Sequence, residues 1–388
     1  MLEILIDTGN VMKKTLLIIL LVILILGVAA GVTFLIRRWN RPLGTALGLP
    51  TPTPTVAEKP STPKISPTVE KANTPQDEAT ASPAPTLTAT EPQAVCGGPP
   101  IMYILGVGVD RESDDYNYGL ADVIRVARVD FVTPKVTVLT IPRDLWVAFP
   151  DLIEKYADTV THGKLNQAYL YGSPGMGYYA GSGEGPGLLA HTIAFNYGLY
   201  VDHYGAVNFR AFEKIVDALG GIDIFLDQDW DGTPVDENTE DMGYFEAGQH
   251  HMTGNEALRF ARIRKRYSTI ARNDNQTLVM CAVKDKLLSP GVVSSIPRLI
   301  NSLIGEVQTD LTPAQLGQLA CLLPKLSGDN LQFISFPEDM MVPGREYDPL
   351  LGNTTFVWDI PLTDIQAFLR NFENDAIPPG DSDGMSCP

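Results

Sequence analysis

The stretch IMYILGVGVDRESDDYNYGLADVIRVARVDFVTPKVTVLTIPRD, residues 101–144, decides the fold. Its first segment, IMYILGVGVD (101–110), is an apolar run that ends in glycines and Asp110, the pattern of a buried strand opening into a loop. DVIRVARVD (122–130) and KVTVLTIP (135–142) alternate with period two, and Phe131-Val132-Thr133-Pro134 between them predicts a hairpin. Further out, AFEKIVDALGG (211–221) reads as an amphipathic helix closed by glycines, with IDIFL (222–226) as the strand after it. Helical patterning covers Thr253 to Leu288, broken around Tyr267–Ile270. More helices near 293–307 and 312–325 precede a strand at LQFISF (331–336). Strands interleaved with helices in this way predict an α/β domain.

Upstream, residues 15–36 (TLLIILLVILILGVAAGVTFLI) carry no charge and are long enough to cross a bilayer as a helix. The run exceeds the apolar core of most cleaved leaders, so the expectation is an uncleaved transmembrane anchor after a short segment, 1–14. Met12 offers an alternative start. Basic residues flank both ends: Lys13 and Lys14 before, Arg37, Arg38 and Arg41 after. The Thr-, Pro-, Ser- and Ala-rich run that follows is typical of the outside of a cell, which places the C-terminal part there. Residues 37–99 read as a Pro/Thr-rich disordered linker unable to bury a core. Four cysteines, Cys96, Cys281, Cys321 and Cys387, suit an oxidising compartment and allow three pairings. No C-x-x-C spacing points to structural zinc. The net charge of −17 argues against a broad nucleic-acid-binding face.

Against that acidic background, RFARIRKRYSTIARNDNQ (259–276) gathers basic residues in one place. Arg262 and Arg264, two apart, cannot share a helical face but would share one in extended backbone. Arg272 and Gln276, four apart, do share a helical face. A cation near a helix start gains nothing from the dipole, so a bound anion explains Arg272 better than helix stability does. The competing reading is a solvated basic face. Asp110 ends one predicted strand and Asp122 starts another. Neighbouring strands would bring both to one rim, as two hard oxygen ligands suited to Mg²⁺; on spacing alone they read rather as two solvated loop aspartates. Arg143, in IPRD (141–144), can fork phosphate oxygens or pair with Asp144. DQDWDG (227–232) starts like a calcium loop, but Asn238 stands where the bidentate glutamate belongs. His250-His251 has no ligands at metal spacing, and SPGMGYYAGSGEGPG (173–187) follows no strand and reads as a loop.

Seven segments in order resemble the LytR-CpsA-Psr family of cell-envelope phosphotransferases. They are GVGVDR, LADVIRVARVD, VTVLTIPRDLWV, KLNQAY (164–169), DHYGAVNFRAFEKIVDALGGIDI (202–224), HHMTGNEALRFARIR (250–264) and ARNDNQ (271–276), spanning about residues 101–290. The resemblance implies a three-layer α/β/α domain with a central mixed sheet over 100–290, preceded by one transmembrane helix. Residues 291–388 match less clearly and would elaborate the same domain, tied down by a Cys281–Cys321 bridge, with the stretch from Pro378 a tail unless Cys387 is paired. It implies a membrane-anchored, Mg²⁺-dependent phosphotransferase with its C-terminal domain outside the cytoplasm. Such an enzyme moves a glycopolymer from a polyprenyl-pyrophosphate carrier to peptidoglycan or another envelope acceptor, and has no nucleic-acid partner. Asp110 and Asp122 fall on the family's magnesium aspartates. Arg143, Arg262, Arg264, Arg272 and Gln276 fall on the positions that grip pyrophosphate; the two aspartates with Arg143, Arg262 and Arg264 would form the catalytic set. Lys164 and Asn166 match a motif with a supporting role. Two residues depart from the pattern: Leu120 replaces an arginine and Thr269 an acidic residue. They favour, as an alternative, a non-catalytic polyprenyl-phosphate-binding protein; a polyprenyl-pyrophosphate phosphohydrolase, with water as acceptor, would use the same residues as the transferase.

Overall fold

The computed structural model describes residues 27–28, 31–49, 93–113, 115–237, 239–264, 269–289, 305–326, 330–377 and 387, without the side chains of 269–271. The elements in order are β1 (Ile101–Val109), β2 (Ala121–Asp130), β3 (Lys135–Thr140), β4 (Trp146–Ala148), α1 (Glu154–Ala157), β5 (His162–Lys164), α2 (Leu165–Gly172), α3 (Glu184–Tyr197), β6 (His203–Asn208) and α4 (Phe209–Ala218). There follow β7 (Ile222–Leu226), β8 (Trp230–Asp231), β9 (Tyr244–Phe245), β10 (Gly248–Met252), α5 (Gly254–Arg262) and α6 (Thr269–Leu288). The chain closes with β11 (Gln308–Thr309), α7 (Pro313–Leu322), β12 (Leu331–Ser335), β13 (Val342–Asp348), β14 (Asn353–Asp359) and α8 (Leu362–Glu373).

The central sheet has the order β11-β6-β1-β2-β3-β12. It is mixed: β1 runs parallel to β6 and antiparallel to β2, while β3 runs antiparallel to β2 and parallel to β12. The predicted hairpin and opening strand are in place. IDIFL is a strand as well, but it pairs with β10 outside the central sheet.

Period two divides the sheet's side chains between two unlike faces. Leu105, Val107, Ile124, Val126, Leu139 and Tyr204 pack on one face with Leu165, Leu188 and Ile193 of α2 and α3 and with Ile365 and Leu369 of α8. On the other face, Val138 and Phe333 meet Cys281 of α6. Beside them a separate cluster joins α4, β7, β10, α5 and α6 through Val216, Ile224, Met252, Phe260 and Val279. Helices therefore cover both sides, giving three layers.

The linker reading needs correcting at both ends. Leu47 is only 3% exposed and belongs to the main core. Leu43 N–H donates to the Leu311 carbonyl at 3.2 Å, and the Tyr204 hydroxyl donates to the Thr45 carbonyl at 3.1 Å. At the far end, Val95 N–H donates to the Phe131 carbonyl at 2.7 Å. Burying one leucine is worth about 1.5–3 kcal/mol, enough for a few apolar residues to override a polar, proline-rich neighbourhood. Residues 50–92, most of the predicted span 15–36 and the helix near 293–307 lie outside the described residues. Among the described residues, no helix is long and apolar enough to cross a membrane.

The expected Cys281–Cys321 bridge does not form; the bonds are Cys96–Cys321 and Cys281–Cys387. Cys281 faces the sheet next to Leu331, whereas Cys321, on α7, lies toward Phe131 with Cys96. Helices near in sequence thus carry their sulfurs to different neighbours. Cys387 is bonded to Cys281 of α6.

Candidate functional site

The site forms where β1 and β6 end and β2 begins. A bulge at Gly108/Val109 sets Val109 opposite Ala121, so Asp110 and Asp122 emerge side by side on the rim. The Leu120 carbonyl accepts both their backbone N–H groups, from Asp110 at 2.9 Å and Asp122 at 3.0 Å. Leu120 thus positions the two aspartates through its backbone, a task independent of its side chain. Burial, reinforced by the neighbouring Asp122 charge, raises the Asp110 pKa above its ordinary 3.8; Arg262, Arg143 and Arg264 oppose the rise. Asp122 Oδ2 is bonded to Arg143, while its buried Oδ1 has no hydrogen-bond partner.

Arg143 also bonds Asp144 at 3.3 Å, and Lys164 Nζ reaches the other Asp144 oxygen at 3.0 Å. The ion-pair reading of Arg143 therefore holds: it bonds Asp144 and, beyond that reading, Asp122. The KLNQ segment latches onto this turn through Asn166 N–H to the Arg143 carbonyl and Leu165 N–H to the Leu145 carbonyl. Gln167 caps α2 and bonds Asp348 at 2.6 Å. Lys164 and Asn166 support the site from behind.

The geometry of RFARIR follows the conditional expectation. Helix α5 starts with a Thr253/Glu256 capping box and stops at Arg262, after which Ile263 is extended (φ −58, ψ 123). Ile263 is buried, and Arg262 and Arg264 on either side of it line the same cavity. Arg262 forks Glu240 with bonds of 2.7 and 3.2 Å and lies over the Phe209 ring. Arg272 and Gln276 share a face of α6 and line the cavity too. Burial, with Arg143 adding to it, lowers the Arg272 pKa to about 10, and its Nε has no partner. All seven predicted residues are brought together around Asp122.

Arg125 escaped the sequence reading. It projects from β2 toward α6 and bonds Thr277 Oγ1 at 3.3 Å and the Asn273 carbonyl at 3.4 Å, with its pKa pulled down to about 10 by burial. The available signal was its company: Val123, Ala127 and Val129 lie on the same face by period two, so that face had to be covered.

Behind this polar mouth lies a cavity of ≈ 530 Å³ walled by Phe209, Phe212, Leu258, Ile263, Val279 and Met280, among others. Its floor is bare sheet. Gly106 and Gly205 are register partners on β1 and β6; a Cβ on Gly205 would meet nothing within 4 Å, and one on Gly106 only the Arg125 carbonyl at 3.7 Å. The cavity runs off the C-terminal ends of two parallel strands, where open α/β sheets bind ligands.

Among the described residues, no group of three or more His, Cys, Asp or Glu could hold a metal by itself. In DQDWDG, Asp229 accepts from the Tyr244 hydroxyl and the Ala247 N–H, and Asp231 accepts from Thr233. His251 bonds Asp223, and His250 bonds the Glu246 carbonyl. Asp110 and Asp122, with one orphaned carboxylate oxygen, fit a cation that keeps most of its waters and takes the rest of its shell from phosphate.

Residues 72–364 match the LytR_cpsA_psr family. The chain is 30% identical over 229 residues to the polyisoprenyl-teichoic acid–peptidoglycan teichoic acid transferase TagU of Oceanobacillus iheyensis, covering 58% of this chain and 62% of that one. It is 27% identical over 221 residues to the regulatory protein MsrR of Staphylococcus aureus, covering 55% and 58%. It thus spans about three-fifths of the length of these relatives. The crystal structure of TagV from B. subtilis shares the fold, with a TM-score of 0.54 and 22% identity over 71% of this chain and 97% of that one. With a family match over most of its length, a mixed sheet of the same fold and the seven motif residues gathered at one rim, the chain belongs to the LytR-CpsA-Psr family.

Proposed function

We propose that this chain is a phosphotransferase that moves a glycopolymer from a polyprenyl-pyrophosphate carrier to a hydroxyl of peptidoglycan or another envelope acceptor. In this reading it works outside the cytoplasm, anchored by residues 15–36. One observation carries the proposal: two carboxylates and a group of arginines sit at the mouth of a deep apolar cavity. That arrangement matches a ligand with an anionic head and a long hydrocarbon tail. The name of the TagU relative supports the reading.

In the reaction, the acceptor hydroxyl oxygen bonds to the glycan-side phosphorus and the bond to the polyprenyl-phosphate oxygen breaks. The leaving oxygen keeps the electron pair, and the hydroxyl proton passes to a carboxylate or to water. Arg264, Arg272 and Gln276 bind the pyrophosphate oxygens, and fixed guanidiniums stabilise the charge that builds on them. Arg143 orients Asp122, with Lys164 and Asp144 holding Arg143 in turn. Asp110 and Asp122 would hold Mg²⁺, which supplies charge neutralisation at the phosphoryl oxygens. The partnerless Arg272 Nε and Asp122 Oδ1 are the atoms that an anion and a cation, respectively, would satisfy.

The test incubates the full chain in detergent with a polyprenyl-pyrophosphate glycan, peptidoglycan strands and Mg²⁺. Released polyprenyl phosphate and glycan joined to the strands are both measured. Wild type should produce both, whereas Asp122→Ala and Arg264→Ala should lose about 10²–10³-fold. Equal rates for all three proteins would remove the site assignment. Lipid phosphate released without glycan transfer would favour the hydrolase, and tight lipid binding without release the non-catalytic binder that Leu120 and Thr269 keep in view.

A further inference from the structure

A second cavity, of ≈ 160 Å³, meets the first at Asp122, Val123, Arg272 and Gln276. Its remaining walls come from distant parts of the chain. Asp144 follows β3, Glu338 and Met341 follow β12, and Trp358 lies on β14. It shares carboxylates with the first but adds an indole, lacks the Phe209, Phe212 and Leu258 wall, and is too small for a lipid. Trp358 is held in place by its backbone. Its N–H donates to the Asp144 carbonyl at 2.9 Å, and it forms a parallel bridge with Leu145. Residue 358 is therefore held beside the turn that carries Arg143, with its indole edge-on to the Phe356 ring.

In-line displacement sets what this space is for. The attacking and leaving oxygens lie on opposite sides of the phosphorus. If the leaving polyprenyl phosphate trails its hydrocarbon into the larger cavity, the attacking hydroxyl arrives from the other side of the shared residues, where the small cavity opens. Resting on the transferase reading, we infer that the small cavity is the acceptor subsite. It takes one sugar ring of the acceptor glycan, with the Trp358 indole as stacking platform and the Asp144 and Glu338 carboxylates receiving hydrogen bonds from ring hydroxyls. An aromatic face with convergent polar groups is the lining that a sugar's C–H face and hydroxyl edge require.

The test is a binding measurement, independent of turnover. The full chain in detergent is titrated with a soluble, uncrosslinked N-acetylglucosamine–N-acetylmuramic acid oligomer, and separately with inorganic pyrophosphate. Trp358→Ala should weaken oligomer binding about tenfold, with Trp358→Phe recovering most of it and pyrophosphate affinity unchanged in both. In wild type the oligomer should also shield Trp358 from N-bromosuccinimide oxidation, a readout that needs no variant to fold. Absence of oligomer binding to wild type, or equal binding by wild type and Trp358→Ala, overturns the subsite. Binding at Trp358 without any glycan transfer removes the transferase reading, and with it the acceptor role, but leaves a sugar-binding site at Trp358.

Discussion

The two faces of the central sheet obey different rules. Under α2, α3 and α8 the interior is apolar, and its buried polar atoms are mostly paired: Thr192 bonds the Leu188 carbonyl, Ser173 the Tyr169 carbonyl, and Gln167 bonds Asp348. Among the described residues two exceptions stand there, Asn166 Oδ1 beside the IPRD turn and Thr137 Oγ1 on β3. Under α6 the reverse holds. Arg125, Arg272 and Asn275 are all buried, and each keeps at least one side-chain atom without a partner. An unpaired buried polar atom costs about 1–3 kcal/mol, so the second face gives up stability that the first supplies. The lesson is that one sheet can divide folding from binding between its sides. A site shows itself where the rules of a good core are broken.

Substitutions can break that comparison, and the largest effect should come from Arg272→Met. We expect transfer to fall about 10²–10³-fold while the ligand-free melting temperature holds or rises, because an unsatisfied buried cation is replaced by an apolar side chain of similar length. Its counterpart on the dry face, Leu139→Ala, should cost about 2–5 kcal/mol in denaturant unfolding yet leave turnover per folded molecule unchanged. If Arg272→Met destabilises as much as Leu139→Ala, the division between faces fails. Gly205→Val probes the bare floor. The space above the glycine accepts a side chain, so the fold should survive, while competition between long- and short-chain polyprenyl substrates shifts about tenfold toward the short.

A smaller effect is expected at Arg262. Glu240→Ala removes the carboxylate that now occupies its fork, and pyrophosphate affinity by calorimetry should rise by about fivefold or less, as suits an exposed pair. The smallest effect is a pH dependence at Asp110. Because its folded pKa is raised, the metal-free protein loses stability as pH climbs from 3.8 through the raised value, where burial penalises the charge. Asp110→Asn should therefore melt above wild type at pH 7 without Mg²⁺ and level with it below pH 3.8. Added Mg²⁺ should stabilise only wild type.

Local patterns carried much of this organisation in the sequence. Strands β1 to β3 follow from period two, and the shared face of Arg272 and Gln276 from helical spacing; the rim of Asp110 and Asp122 was legible only on condition that β1 and β2 are neighbours. The shared side of Arg262 and Arg264 was legible only as a conditional, because whether α5 stops at Arg262 depends on Ile263 being drawn into the core. Arg125 was missed because an arginine in an alternating strand reads as solvent-facing until its covering helix is known. Trp358 and Glu338 reach the site from the far end of the chain, and no spacing rule links them to Asp122. The cysteine pairing was undecidable for the same reason: it depends on which neighbours α6 and α7 face.

The docking of Leu43 to Leu49 has a mechanical consequence. If residues 15–36 lie in a bilayer, only residues 37–42 separate it from a segment bonded to the folded domain, a reach of at most about 20 Å. Leu47 before the Pro/Thr-rich run 50–92 and Val95 after it are both held by the domain, so the length of that run does not set how far the site stands from the lipid surface. The enzyme would then work at a fixed height, close to where a carrier's head group emerges. Acceptor strands would have to come down to it.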